Sequence, residues 1–210
     1  CTTAHAVMQL NADDGGNRKF ICVQLAEPCD KESEAFKAGF KTIADIGKER
    51  IRRAGKKIKE ENKGKLDFDG KKLDLGFKVF KLDKSNFNIW DGTVDETGDV
   101  SSQIEMFIDH IDTNASDEDI LCEILLKTRF ELTTKIEQFQ LAGKKVYSVA
   151  DKALLICLDR KLTKEVITEM ARLQPARVVC LDVGFADNDQ LKTNAVQIMK
   201  SHGVEDFRTV

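Results

Sequence analysis

Apolar residues recur at helical spacing from the first turn of the chain. Residues 4–10 carry Ala4, Val7, Met8 and Leu10, and they predict a helix that stops at the glycine pair Gly15-Gly16. Residues 20–25 form a short apolar run rich in strand-forming types, and residues 76–82 alternate as a strand does. The first third of the chain is therefore predicted to alternate helix and strand.

A second helix is predicted between these two strands. Thr42 with Asp45 three residues later is a helix-start signal. After it, the apolar positions Ile43, Ile46, Ala54 and Ile58 are expected along one face. The order of helix, strand, helix and strand is typical of one half of a parallel α/β sheet.

The rest of the chain predicts a connector, two helices and a second α/β unit. The connector at residues 91–99 precedes a helix carrying Ile104, Phe107, Ile108 and Ile111, and a further helix begins at Ser116. Strands are expected at 145–149, 153–158, 177–181 and 207–210, with helices over 162–173 and 190–202, the second of which ends at Gly203. Because helices connect these predicted strands, right-handed crossovers and mostly parallel strands are expected. We expect three parts, residues 1–90, 91–115 and 116–210.

Composition narrows the class of protein. Hydrophobic residues make up 41% and charged residues 33% of the 210 residues, as in a globular domain. The net charge is -3, so the chain does not have the excess of basic residues that is usual in a free-standing nucleic-acid binder. No apolar run reaches the roughly 20 residues of a membrane span, and no signal peptide opens the chain. None of the six Cys forms a C-x-x-C pair, which favours a reducing cytoplasm. The absence of an initial Met, with helical spacing from the start, makes us expect a fragment.

Three groups of residues have candidate chemistry, each beside a purely structural alternative. Glu27 follows a predicted strand, where a carboxylate accepts hydrogen bonds from ribose hydroxyls, although spacing alone favours an exposed loop acid. The basic run at 48–59 could contact phosphates or form a solvated helix face. Asp182, Asp187 and Asp189 could hold Mg²⁺ or cap the next helix, and capping is the favoured interpretation.

Several long stretches resemble the modification subunits of type III restriction-modification systems, which are DNA adenine methyltransferases. The first begins T-T-A-H-A directly after Cys1, at the place where this family ends its S-adenosylmethionine loop with Gly, so Cys1 is a departure. The resemblance spans almost the whole chain, and its stretches are residues 2–11, 14–25, 27–28, 38–53, 132–136, 144–149 and 188–197.

The resemblance implies transfer of a methyl group from S-adenosylmethionine to adenine N6 in DNA. It also implies a partial Rossmann-like methyltransferase sheet followed by a small C-terminal α/β domain. The family's D-P-P-Y tetrapeptide and its recognition domain precede the cofactor loop, and with only Pro28 and Pro175 the tetrapeptide does not occur here. We therefore assign no catalytic residue and expect an inactive chain. The scattered His5, His110 and His202 lack the spacing of a metal site, so we assign no metal ligand. Because the Gly-rich loop would precede Cys1, we expect weak or absent cofactor binding.

The resemblance also assigns cofactor neighbours and partners. It makes Glu27 the ribose ligand and places Thr2 and Thr3, at the start of a helix with free N–H groups, beside the cofactor. It implies contact with DNA through the full-length enzyme, pairing of the subunit with itself, and docking of a helicase-nuclease restriction subunit. The alternative is a non-catalytic module for dimerisation or partner docking.

Overall fold

The computed structural model describes residues 1–62, 73–87, 111–186 and 188–210. The predicted connector, all but the last residue of the helix expected from Ile104 to Ile111, and Asp187 lie outside these residues. The chain divides into two compact units, Cys1–Phe80 and Lys81–Val210. No helix in the described residues is long and apolar enough to cross a membrane.

The described residues of the first unit form three helices. In chain order they are α1 (Thr2–Asp14), α2 (Glu34–Lys37) and α3 (Ile43–Glu61). The second unit has a longer series of elements, which are α4 (Asp117–Lys127), β1 (Ile136–Leu141), β2 (Lys144–Val149), β3 (Leu154–Cys157), α5 (Lys164–Arg172), β4 (Arg177–Cys180), a 3-10 turn (Asp182–Phe185), α6 (Asp189–Ser201) and β5 (Asp206–Thr209).

The core of the first unit lies between α1 and α3. Ala4, Met8 and Ala12 recur every four residues on α1 and pack with Ile51 and Ile58 of α3. Full burial of a side chain such as that of Ile58 stabilises a fold by about 1.5–3 kcal/mol. The burial of α3 differs from the expected face at its first turn, because Ile43 and Ile46 are 41% and 37% exposed.

The two strands predicted in the first third of the chain are not β-strands in the structure. Residues 20–25 and 76–82 form no strand in the described part of the chain. Their apolar side chains are largely in solvent, and Ile21, Val23 and Leu82 have exposed fractions of 91%, 92% and 104%. Strand-forming residues give a β-strand only where a neighbouring strand takes their hydrogen bonds, and the described residues contain no strand beside these segments.

The second unit is built on a five-stranded sheet with the order β1-β2-β3-β4-β5. The three strands β3, β4 and β5 are parallel, as predicted, whereas β1, β2 and β3 pair antiparallel, so the sheet is mixed where mostly parallel strands were expected. Connections of two residues between β1 and β2, and of four between β2 and β3, are too short for a parallel crossover. The predicted α/β class is confirmed.

Helices cover both faces of this sheet. α5 and α6 bury Val166, Met170 and Met199 on one face, and α4 buries Ile124 and Leu125 on the other. Cys157 and Cys180 are neighbours in the register of β3 and β4, and both are fully buried. Burial raises the pKa of both thiols, which behave as small core residues.

Candidate cofactor site

The N-terminus of α1 carries the first two sequence-predicted site residues. Thr2 and Thr3 form its first turn, and both are exposed. The N-cap residue Cys1 makes no side-chain hydrogen bond to the helix, and the carbonyl of Cys1 accepts from the amide of His5 at 3.3 Å. A helix start without a side-chain cap leaves N–H donors available to an anionic or polar ligand.

Glu27 is held in place through its backbone. The amide of Ile43 donates to the carbonyl of Glu27 at 2.9 Å, and the amide of Cys29 donates to the carbonyl of Lys41 at 2.9 Å. Pro28 and Thr42 form an isolated antiparallel bridge between these two bonds. The side chain of Glu27 is exposed, and within the described residues its carboxylate has no hydrogen-bond partner. The backbone is therefore fixed while the carboxylate is free to bind.

These residues converge on the first turns of α3. Glu27 is bonded to Ile43, the first residue of α3, and Cys1 lies against Gly47, where a Cβ would be 2.6 Å from the Cys1 Sγ. Ile43 and Gly47 are four residues apart and so lie on one side of the helix. The structure thus brings Thr2, Thr3 and Glu27 to the same end of α3, although they are separated in sequence by more than twenty positions.

The sequence of α3 fixes this end of the helix. Thr42 Oγ1 accepts from the amide of Asp45 at 3.2 Å, and Asp45 Oδ2 accepts from the amide of Thr42 at 3.1 Å, which is the predicted capping box. Hydrogen bonds from Lys48 and Thr42 lower the pKa of Asp45 to about 2. The carboxylate therefore stays ionised at neutral pH and anchors the start of α3.

The turn between α1 and the segment of Glu27 is closed by side chains. Asn11 Nδ2 donates to the carbonyl of Arg18 at 2.8 Å, and the amide of Arg18 donates to Asn11 Oδ1 at 3.0 Å. The Arg18 guanidinium binds both carboxylate oxygens of Asp14 and holds the pKa of Asp14 below its usual value. Gly15 ends α1 in the left-handed conformation, with φ of 69°.

The basic run forms most of the exposed side of α3. Glu49 is paired with Arg53 at 2.8 Å and with Arg52 at 3.8 Å, and Lys57 is paired with Glu61 at 3.6 Å. The Arg52 guanidinium also lies 5.8 Å from the centre of the Phe77 ring. The structure therefore places these charges on a solvated helix face with internal ion pairs, which is the alternative that the sequence favours.

Two of the three candidate metal-binding aspartates, Asp182 and Asp189, have structural contacts. Asp182 forms an ion pair with Lys192, and Asp189 is the first residue of α6, whose N-cap Asn188 accepts from the amide of Leu191 at 2.8 Å. Among the described residues, no three His, Cys, Asp or Glu side chains are grouped to hold a metal ion. Helix capping accounts for Asn188 and Asp189.

Sequence comparison relates the chain to restriction-modification proteins, although no family model matches it. It is 30% identical over 208 residues to the type III restriction-modification enzyme EcoP15I Mod subunit of Escherichia coli, a match that covers 96% of this chain and 29% of that protein. It is 42% identical over 81 residues to the StyLTI Mod subunit of Salmonella typhimurium, which covers 39% of this chain and 12% of that subunit.

A shorter match reaches a protein of another type. The type II methyltransferase M.KpnI of Klebsiella pneumoniae is 49% identical over 45 residues, which is 21% of this chain and 11% of that enzyme. The chain therefore spans less than a third of the length of each of these relatives. The long match to EcoP15I nevertheless includes both compact units. The chain is thus a homologue of the Mod subunits of type III restriction-modification enzymes, over nearly its whole length for EcoP15I and over a shorter stretch for StyLTI.

Proposed function

We propose that the chain is a part of a DNA adenine-N6 methyltransferase of a restriction-modification system, and that its first unit supports the bound S-adenosylmethionine. The observation that carries this proposal is the convergence of Glu27 and the α1 N-terminus on the first turns of α3. The similarity to Mod subunits, and to a type II methyltransferase over a shorter stretch, supports the same reaction class.

The residues at this end of α3 fit the polar part of such a cofactor. The exposed carboxylate of Glu27 can accept hydrogen bonds from two ribose hydroxyls, because a carboxylate offers two acceptor oxygens. The first turn of α1, with Thr2 and Thr3, offers N–H donors and the positive end of the helix dipole. When bound, S-adenosylmethionine would supply the methyl group, and these residues would bind and orient it.

The chemical step is not assigned to this chain. Of its two prolines, Pro28 and Pro175, neither is followed by another, so the D-P-P-Y tetrapeptide does not occur. In this proposal the groups that bind the flipped adenine and its N6 belong to other parts of the enzyme. We therefore propose that the chain alone has no methyltransferase activity and binds the cofactor weakly.

The second unit has features of an association module, which is our second candidate function. It has two cores of its own on the two faces of its sheet, and β1 and β5 are the outer strands of that sheet. Outer strands offer free backbone groups to a partner. We propose that this unit pairs with a second copy or with the restriction subunit, and a dimer whose affinity is unchanged by S-adenosylmethionine would support this role.

The cofactor proposal is tested by titrating the isotope-labelled chain with S-adenosylmethionine and following backbone amides by NMR. We expect shifts at Thr2, Thr3 and residues 27–29 with a dissociation constant on the order of 1 mM, which corresponds to about -4 kcal/mol. In Glu27→Gln these shifts should weaken, because a ribose acceptor is lost.

Glu32→Gln is the matched control, since Glu32 is also exposed and lies five residues further along the chain. It should titrate like the unaltered protein. Shifts that are absent up to saturating cofactor, or that persist unchanged in Glu27→Gln, would refute the assignment of Glu27.

A further inference from the structure

A groove of about 380 Å³ lies where β3, β4 and β5 begin, beside the end of α4. Among the described residues that line it, four are cationic and one is anionic: Lys127, Arg129, Arg177, Arg208 and Asp206. The whole chain has a net charge of -3, so the groove has the opposite sign of charge to the chain as a whole.

The cationic side chains come from three separate elements. Lys127 and Arg129 are at the C-terminal end of α4, Arg177 begins β4, and Arg208 is in β5. In the sheet register Arg177 is opposite Asp206 and Arg208 is opposite Val179, so these side chains share one face. Like charges that lie close together repel each other, so this arrangement costs free energy. Because the cationic residues come from three elements, they are not simply the solvated face of one helix.

The positive charge of the groove is only partly compensated. Lys127 is 2.9 Å from Glu123, and Arg208 is 2.9 Å from Asp206. The Arg177 guanidinium lies 5.1 Å from the centre of the Phe130 ring. Within the described part of the chain, neither Arg177 nor the exposed Arg129 has a carboxylate partner. Two guanidinium groups are therefore available to an external anion.

We propose that this groove binds phosphate groups, either of a nucleic-acid backbone or of a free nucleotide. Guanidinium groups present paired N–H donors that match two phosphate oxygens, and they remain charged at all physiological pH values. A groove of this size accommodates one phosphate-bearing group and leaves its remainder in solvent.

The backbone at Arg129 offers a direct test. The amide of Phe130 donates to the carbonyl of Leu125 at 2.9 Å and the amide of Arg129 to that of Leu126 at 3.1 Å, which is the Schellman arrangement. Arg129 therefore occupies the left-handed position, with φ of 64°, where Gly is the usual residue. An arginine is unfavourable there for the backbone, so its side chain is a candidate for a binding role.

The experiment measures binding of a fluorescent 20-base-pair DNA duplex and, separately, of ATP by the full chain. Arg129→Gly relieves the backbone and removes the charge, so we expect unchanged or higher thermal stability together with about tenfold weaker phosphate binding. If the duplex is the ligand, the slope of log affinity against log salt should also fall by about 0.9.

Arg172→Gln is the control. Arg172 is exposed in the last turn of α5, on the opposite face of the same sheet, and its removal changes the net charge equally. It should bind like the unaltered chain. Binding of the duplex alone assigns the groove to a nucleic-acid backbone, and binding of ATP alone assigns it to a free nucleotide.

The proposal is overturned if neither ligand binds, if Arg129→Gly binds as well as the unaltered chain, or if Arg172→Gln is weakened to the same degree. The groove lies in the second unit and includes none of the candidate cofactor residues. Its failure would therefore leave the cofactor proposal intact, and the reverse also holds.

Discussion

A single carboxylate connects the start of the second unit to α4. Glu123 accepts from Ser85 Oγ at 2.6 Å, from the amide of Asn86 at 2.7 Å and from Asn86 Nδ2 at 2.9 Å, and it is also paired with Lys127. Burial raises the pKa of Glu123, but the hydrogen bonds outweigh it and lower that pKa to about 2. The ionised form of Glu123 therefore stabilises the fold.

This contribution should depend on pH. The pKa of Glu123 is lower in the folded protein than its usual value of 4.5, so its stabilisation is complete above about pH 4.5 and is lost as the pH falls toward about 2. We expect Glu123→Gln to lower the free energy of unfolding at pH 7 by about 1–3 kcal/mol. The difference from the unaltered protein should shrink at pH 2.5, as measured by urea unfolding.

Glu118→Gln serves as the control, because Glu118 lies exposed in the first turn of the same helix. Its effect should be small at both pH values. A Glu123→Gln deficit that is equal at pH 7 and pH 2.5 would mean that the charge of Glu123 is not what stabilises this contact.

At the residue scale, local pairs were predictable from the sequence and distant ones were not. Thr42 with Asp45, the N-cap Ser116 and the terminator Gly203 act within one helical turn, and each acts as expected. By contrast, Ser85 and Asn86 lie 38 and 37 residues from Glu123, and no spacing rule links them to it. Glu27 is intermediate, since its position depends on an isolated backbone bridge that the sequence does not show.

At the scale of elements, the hairpin of β1 and β2 is a strand pair that the sequence prediction missed. Ala142 and Gly143 form its two-residue loop, both with positive φ, of 46° and 77°. A two-residue loop with Gly between alternating runs is a hairpin signal, but its first position usually carries Asn or Asp. Because Ala142 occupies this position in place of Asn or Asp, the sequence does not predict the turn, and β1 is not predicted either.

The same turn gives a stability prediction. Ala142→Asn should raise the free energy of unfolding by about 0.5–1 kcal/mol, because Asn adopts positive φ more readily than Ala. Ala176→Asn, at an exposed position without positive φ, should bring no such gain. Thermal unfolding of both variants measures the difference, and equal effects would show that the turn conformation is not the cause.

At the scale of the whole molecule, periodicity predicted the helices well and the sheets only in part. The last four predicted strands and both helices between them are present, because each segment has partners in the second unit. The strands expected in the first unit have the right composition but no strand beside them among the described residues. The groove was not predictable, since its cationic residues range from Lys127 to Arg208 and meet only in the folded sheet.

The exposed apolar segment at residues 20–25 has a consequence for the protein in solution. It is an uncharged run of strand-forming residues without Pro or Gly, and Ile21, Val23 and Leu25 are 91%, 92% and 71% exposed. Such a run can template strands between molecules, which is the first step of ordered aggregation. The colloidal stability of the isolated chain should therefore be set by this segment rather than by its well-packed second unit, and turbidity should rise with concentration well below the melting temperature.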